Sequence, residues 1–134
     1  MLSLELKPNN VVFIGPSMSV KVIKIENGEV FLETKSTAGL PVFSDALFAK
    51  RWLNEISQEE FDLEKMKPVN HFVCKINEAI RMREHDCIQV TRILNTYSVR
   101  LGFEAEGLRI MRQELLLKRN FADLNGKSYV STNA

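Results

Sequence analysis

The chain has 134 residues, a formal net charge of +1, and is 45% hydrophobic and 26% charged. That composition fits one compact domain or two very small ones and gives no global electrostatic pull toward nucleic acid or a membrane. No apolar run approaches the roughly 20 residues that span a bilayer, the N-terminus lacks a signal-peptide layout, and Cys74 and Cys87 form no secreted-type framework, so a cytoplasmic protein with reduced thiols is expected.

Strand signals begin at the first residue. Leu2, Leu4 and Leu6 share one parity, and Lys7-Pro8-Asn9-Asn10 is a turn cluster. Val11 to Ile14 is a short apolar run closed by Gly15-Pro16-Ser17. Met18, Val20 and Val22 alternate with Ser19 and Lys21, as on a half-buried strand. Asn27-Gly28 is the strongest two-residue hairpin signal, because both positions accept positive φ. Val30, Leu32 and Thr34 continue the alternation, and Leu40 to Phe43 is a last strand that Pro41 confines to an edge.

After residue 43 the spacing turns helical. Ser44 or Asp45 can cap a segment reaching about Ile56, and Ser57-x-x-Glu60 is a capping box for a short second helix. Pro68 fits a first helical position. Apolar stripes then run through Phe72, Ile76, Ala79 and Ile80, through Val90, Ile93, Leu94, Tyr97 and Leu101, and through Leu108, Met111, Leu115 and Leu116. Gly102 is a plausible helix stop, Trp52 is expected to pack on the sheet or the extension, and no internal repeat is evident. The expected fold is α+β: a five-stranded antiparallel β-meander, then an α-helical extension. The expected division is 1–56 for the β-domain with its helix and 57–134 for the extension.

Residues 1–52 resemble the carbon storage regulator (CsrA/RsmA) family, small bacterial proteins that bind messenger RNA. The resemblance runs collinearly from Met1-Leu2-x-Leu4 and Lys7 through Ile14-Gly15, Val20-x-Val22, Asn27-Gly28, Val30-x-Leu32, Lys35 and Pro41-Val42 to a helix containing Phe48. It implies an interlaced homodimer in which the first strand crosses to the partner subunit. It also implies two RNA surfaces, each made by the first strand of one subunit and the last strand of the other. The flagellin-translation regulator FlbT is a second resemblance, through Leu4-Glu5-Leu6-Lys7-Pro8 and a similar length.

The chain departs from the family at the RNA-reading positions. The usual Thr-Arg after Leu4 is Glu5-Leu6, and the usual His-Arg-Glu after Val42 is Phe43-Ser44-Asp45. Both family arginines are absent, and each lost charge-assisted contact typically costs about 1–3 kcal/mol. Arginines gather instead further on: Arg81, Arg83, Arg92, Arg100, Arg109, Arg112 and Arg119. They admit two readings. They are solvated helix faces partly paired with carboxylates, or they are an RNA surface moved onto the extension. Tyr97 and Phe103 are candidates for base stacking or for the core.

His71-x-x-Cys74 and His85-x-Cys87 lack the spacing of a structural zinc site, and no nucleophile motif or phosphate loop is present. No enzyme activity, cofactor or metal is expected. The expected function is that of a diverged RNA-binding translational regulator, with Leu4, Lys7, Val42, Phe43, Arg81, Arg83, Arg109 and Arg112 as candidate RNA-binding residues. The expected partners are mRNA or small RNA, a second copy in a homodimer and a regulatory protein. The alternative is a protein-interaction module in which the sheet is a dimerisation scaffold and the helices bind a protein partner.

Overall fold

Alternating apolar residues put the first forty-odd residues into strands, and the same physics governs the second half. The computed structural model describes residues 1–37, 40–82, 86–105 and 110–112. Its elements are β1 (Leu2–Leu6), β2 (Val11–Ile14), β3 (Met18–Glu26), β4 (Glu29–Ser36), β5 (Phe43–Ser44), α1 (Asp45–Trp52), α2 (Gln58–Lys65), β6 (Val69–Cys74), β7 (Ala79–Arg81), β8 (Cys87–Asn95), β9 (Ser98–Glu104) and β10 (Ile110–Arg112). The class is α+β, with two antiparallel five-stranded sheets and two short helices. No described helix is long and apolar enough to cross a membrane.

The expected signals at the first turns and caps are in place. Asn27 and Gly28 both take positive φ, 53° and 75°, between β3 and β4. Ser44 caps α1 by accepting from the Leu47 amide at 3.1 Å, and Ser57 caps α2 by accepting from the Glu60 amide at 3.1 Å. Pro68 precedes β6 rather than opening a helix, and its carbonyl accepts from the Ser36 amide at 2.8 Å.

The helical extension expected after residue 57 is replaced, past Lys65, by strands throughout the described residues. Phe72 to Ile80 is β6, a turn and β7, and Val90 to Leu101 is the β8–β9 hairpin. The physical reason lies in a β-bulge. The pairing of β8 with β9 shifts register between Val90 and Arg92, inserting one residue into the period of two. Core residues Val90 and Ile93 therefore fall three apart, the spacing of a helix face. Gly102, read as a helix stop, lies inside β9; a Cβ there would meet the Met1 side chain and, at 3.2 Å, Thr91 Cγ2. Trp52, expected to pack, is 77% exposed. The stripe from Leu108 to Leu116 lies mostly outside the described residues, and within it Ile110–Arg112 is strand.

The first five strands do not form one meander. The sheets run β1-β9-β8-β7-β5 and β10-β2-β3-β4-β6. Each half of the chain thus supplies a three-stranded meander, and each meander is flanked by the outer strands of the other half. The exchange keeps register. Leu4 and Leu6 oppose Leu101 and Val99, while Phe72 and Cys74 oppose Leu32 and Val30. The bulge recurs as well, between Val22 and Lys24 in one meander and Val90 and Arg92 in the other. Against the expectation of no repeat, the structure is an internally duplicated arrangement with pseudo-two-fold strand exchange. The pairing expected across a homodimer occurs here within one chain, and strands cross the expected 56/57 boundary in both directions.

One core serves both sheets. Leu6, Val12, Ile14, Val20, Val22, Val30 and Leu32 cluster with Ile80, Ile88, Val90, Val99, Leu101 and Phe103. Full burial of such side chains stabilises by about 1.5–3 kcal/mol each before entropy is counted. Since the cluster draws on both halves, neither half keeps its core without the other.

Candidate nucleic-acid interface

The expected RNA-binding residues fall at separate places in this fold. Leu4 is half-buried on β1 opposite Leu101, and Lys7 is exposed in the following turn, where its amide donates to Asn10 Oδ1 at 2.8 Å. Val42 is buried in the core. Phe43 is opposite Arg81 in the β5–β7 ladder, and its ring meets Phe61 edge-on with centroids 5.4 Å apart. Arg83 and Arg109 lie outside the described residues. Phe103, offered for stacking or core, is buried in the core cluster.

Arg81 is held locally. Its Nε donates to Asp45 Oδ1 at 3.0 Å, tying β7 to the first turn of α1, and this hydrogen bond raises the guanidinium above its ordinary value. The neighbouring Cys87 thiol is pushed up by burial, against the lowering influence of Arg81. Arg81 is therefore a structural tie as well as an exposed cation.

Arg112 is half-buried on β10, opposite Val12. Ser44 on β5 is opposite Ile80. Val12 and Ile80 each stand three residues past a left-handed asparagine, Asn9 and Asn77. By this register Arg112 occupies in the second half the position that Ser44 occupies in the first. The second half thus carries an arginine where the first half carries Ser44. The outer strands β1 and β10 end opposite sheets, as do β5 and β6.

The outer faces of the two sheets differ in charge. On β3, β4 and β6, Lys24 is 3.2 Å from Glu26, Lys35 and His71 are 3.9 and 2.9 Å from Glu33, and Lys21 opposes Glu33 outside ion-pair distance. Lys24 also lies over the Phe31 ring, 4.5 Å from its centroid. On β8 and β9, Arg92 and Arg100 are direct cross-strand partners, and both are exposed. Among the described residues no carboxylate is within ion-pair distance of either. Tyr97, 74% exposed, sits in the turn of the same hairpin, where its amide donates to Asn95 Oδ1 at 2.7 Å. The sequence reading saw these arginines as part of a helical cluster and missed their pairing. Asn95 ends β8 opposite Ser98, so the turn is Thr96-Tyr97, which carries no strong turn residue.

Among the described residues no group of three His, Cys, Asp or Glu side chains lies together as a metal site. Cys74 and Cys87 are both free, and burial pushes the Cys74 thiol up to about 11. A cavity of about 120 Å³ separates the β2–β3 turn from Met82 and the buried Asp86, equivalent regions of the two halves. In comparisons with known proteins, no family model, no curated protein and no solved structure matches the chain.

Proposed function

We propose that the chain is a diverged RNA-binding translational regulator of the carbon storage regulator kind, with both protomer-like halves in one polypeptide. The observation that carries the reading is the strand exchange: β1 pairs with β9, and β6 pairs with β4. This is the interlacing that the resemblance over residues 1–52 implies for two subunits. On this reading the two RNA surfaces correspond to β1 with β10 and to β6 with β5.

The two surfaces are chemically unequal. The first combines Leu4 and Lys7 with Arg112, so one cation stands at the strand position where the family carries its arginine. The second combines Phe72 and Lys75, the counterparts of Leu4 and Lys7, with Phe43 and Ser44, without an arginine on either strand. RNA then binds through the first surface, with one site per chain, since a guanidinium offers bidentate contacts to phosphate and guanine edges. The test is fluorescence anisotropy with RNA recovered from cells with the protein, repeated across a salt series. Arg112→Ala should weaken binding and flatten its salt dependence by about one unit. Wild-type protein that fails to bind RNA above background would overturn the reading.

The protein-interaction alternative is favoured by the helical hairpin. Phe48, Trp52, Leu53 and Leu63 are all large, apolar and exposed on α1, the turn after it and α2. Such a patch is a usual mark of a protein contact. The two readings are compatible in one molecule, and the RNA titration decides whether the first holds.

A further inference from the structure

Resting on the RNA-binding reading, we infer that the β8–β9 hairpin is a second single-stranded RNA contact, with Arg92 and Arg100 on phosphate and Tyr97 stacked on a base. Directly opposed residues of an antiparallel pair project to the same face, and like charges there repel each other. Arg92 and Arg100 are such a pair. Glu5 opposes Arg100 from β1, but no carboxylate opposes Arg92, and glutamine or threonine there would remove the repulsion. An external anion bridging the two guanidinium groups removes the conflict.

The equivalent hairpin of the other half sharpens the point. Lys24 and Phe31 are cross-strand partners there, as Arg92 and Arg100 are here. Lys24 is satisfied twice over, by Glu26 at 3.2 Å and by the Phe31 ring. The first hairpin is thus neutralised from within the protein, while the second is left without a carboxylate on β8 or in its turn. Glu5 opposes Arg100 from β1 but is not within ion-pair distance. A phosphate is held by Arg92 and Arg100 together, since Glu5 partly offsets the outer member of the row.

Tyr97 selects the class of anion. A phenol ring that is 74% exposed in a hairpin turn buries little in the fold, yet it offers a flat surface on the same hairpin as the two cations. Paired cations with an aromatic ring suit unpaired nucleotides, whose phosphates and bases are both accessible. A duplex hides its base faces and would use only the cations.

The test is fluorescence anisotropy with a labelled single-stranded RNA of random sequence, across a salt series, on the full chain. Arg92→Ala with Arg100→Ala should flatten the salt slope by about 1.4 units, at roughly 0.7 for each single-strand phosphate contact. Tyr97→Ala should weaken binding roughly five- to hundredfold with the slope unchanged, because stacking releases no counterion. Lys24→Ala should match wild type. Arg92→Gln should raise the thermal midpoint while lowering affinity, the signature of a charge pair kept for binding and against stability. If wild type binds and Arg112→Ala weakens binding, but the Arg92/Arg100 variant matches wild type, this inference alone is overturned. If a duplex of equal length binds as tightly and Tyr97→Ala is silent, the base-stacking contact is overturned. If wild type binds no RNA, the inference and the proposed function fall together.

Discussion

Asn9 and Asn77 hold the same left-handed backbone conformation, with φ of 74° and 73°, and each donates its amide to a valine carbonyl, Val22 or Val90. The returning bond is also shared: Val22 donates to the Asn10 carbonyl and Val90 to the Glu78 carbonyl. One local device, used twice, extends the first ladder of each meander, β2 with β3 and β7 with β8, into the turn that precedes it. Asparagine tolerates this region better than branched residues do. Asn9→Val and Asn77→Val should each cost about 1–2 kcal/mol, whereas glycine at either position should be close to neutral. Urea denaturation of the four variants checks this.

The shared core predicts a single unfolding transition. Leu32 lies between Val22 and Phe72, and Leu101 lies between Val90 and Leu4. Both are fully buried. Leu32→Ala and Leu101→Ala should each destabilise by about 2–5 kcal/mol and shift the whole transition. Calorimetry showing two transitions, with each variant moving only one, would contradict the exchange of strands.

Separating the halves should expose the same dependence. A fragment of residues 1–66 retains the β2–β3–β4 meander but loses the partners of β1 and β5. It should be unfolded, or dimeric with the second copy in the place of the missing half. Sedimentation equilibrium at micromolar concentration distinguishes these states from a folded monomer, which this fold does not allow.

Cys74 supplies a pH test. Burial, with smaller contributions from Glu78 and Asp45, raises its thiol from 9.0 to about 11. An acid whose pKa is raised by folding is more protonated in the folded chain than in the unfolded one. Its contribution to stability is therefore complete below pH 9.0 and lost as pH rises through about 11. Thermal midpoints should fall over that window in wild type and fall less in Cys74→Ala. At neutral pH the thiol should react with Ellman's reagent only after unfolding.

Much of the first half was legible because its punctuation is strong. Asn27-Gly28, Ser44 and Ser57 each require one local geometry, and each adopts it. The second half was opaque because its punctuation is weak. Its hairpin turn reads Thr96-Tyr97, without asparagine or glycine, and its bulge spaces Val90 and Ile93 as a helix would. The repeat itself hid behind side-chain changes: Lys7 and Asn9 recur as Lys75 and Asn77, but Phe13 becomes Arg81 and Phe31 becomes Arg100. Those changes fall on outward positions, where the fold imposes little and function is free to act. The candidate site was accordingly half-read: arginines were flagged, but which of them face each other depends on a pairing register that spacing alone does not carry.

The most direct test of the account is the affinity of the intact, monodisperse chain for single-stranded RNA, measured by anisotropy as salt is raised. The account predicts binding at one RNA per chain that weakens steeply with salt, and a shallower dependence for Arg112→Ala. No binding at low salt, or binding indifferent to salt and to Arg112, would contradict it and leave the exposed apolar helices as the functional surface.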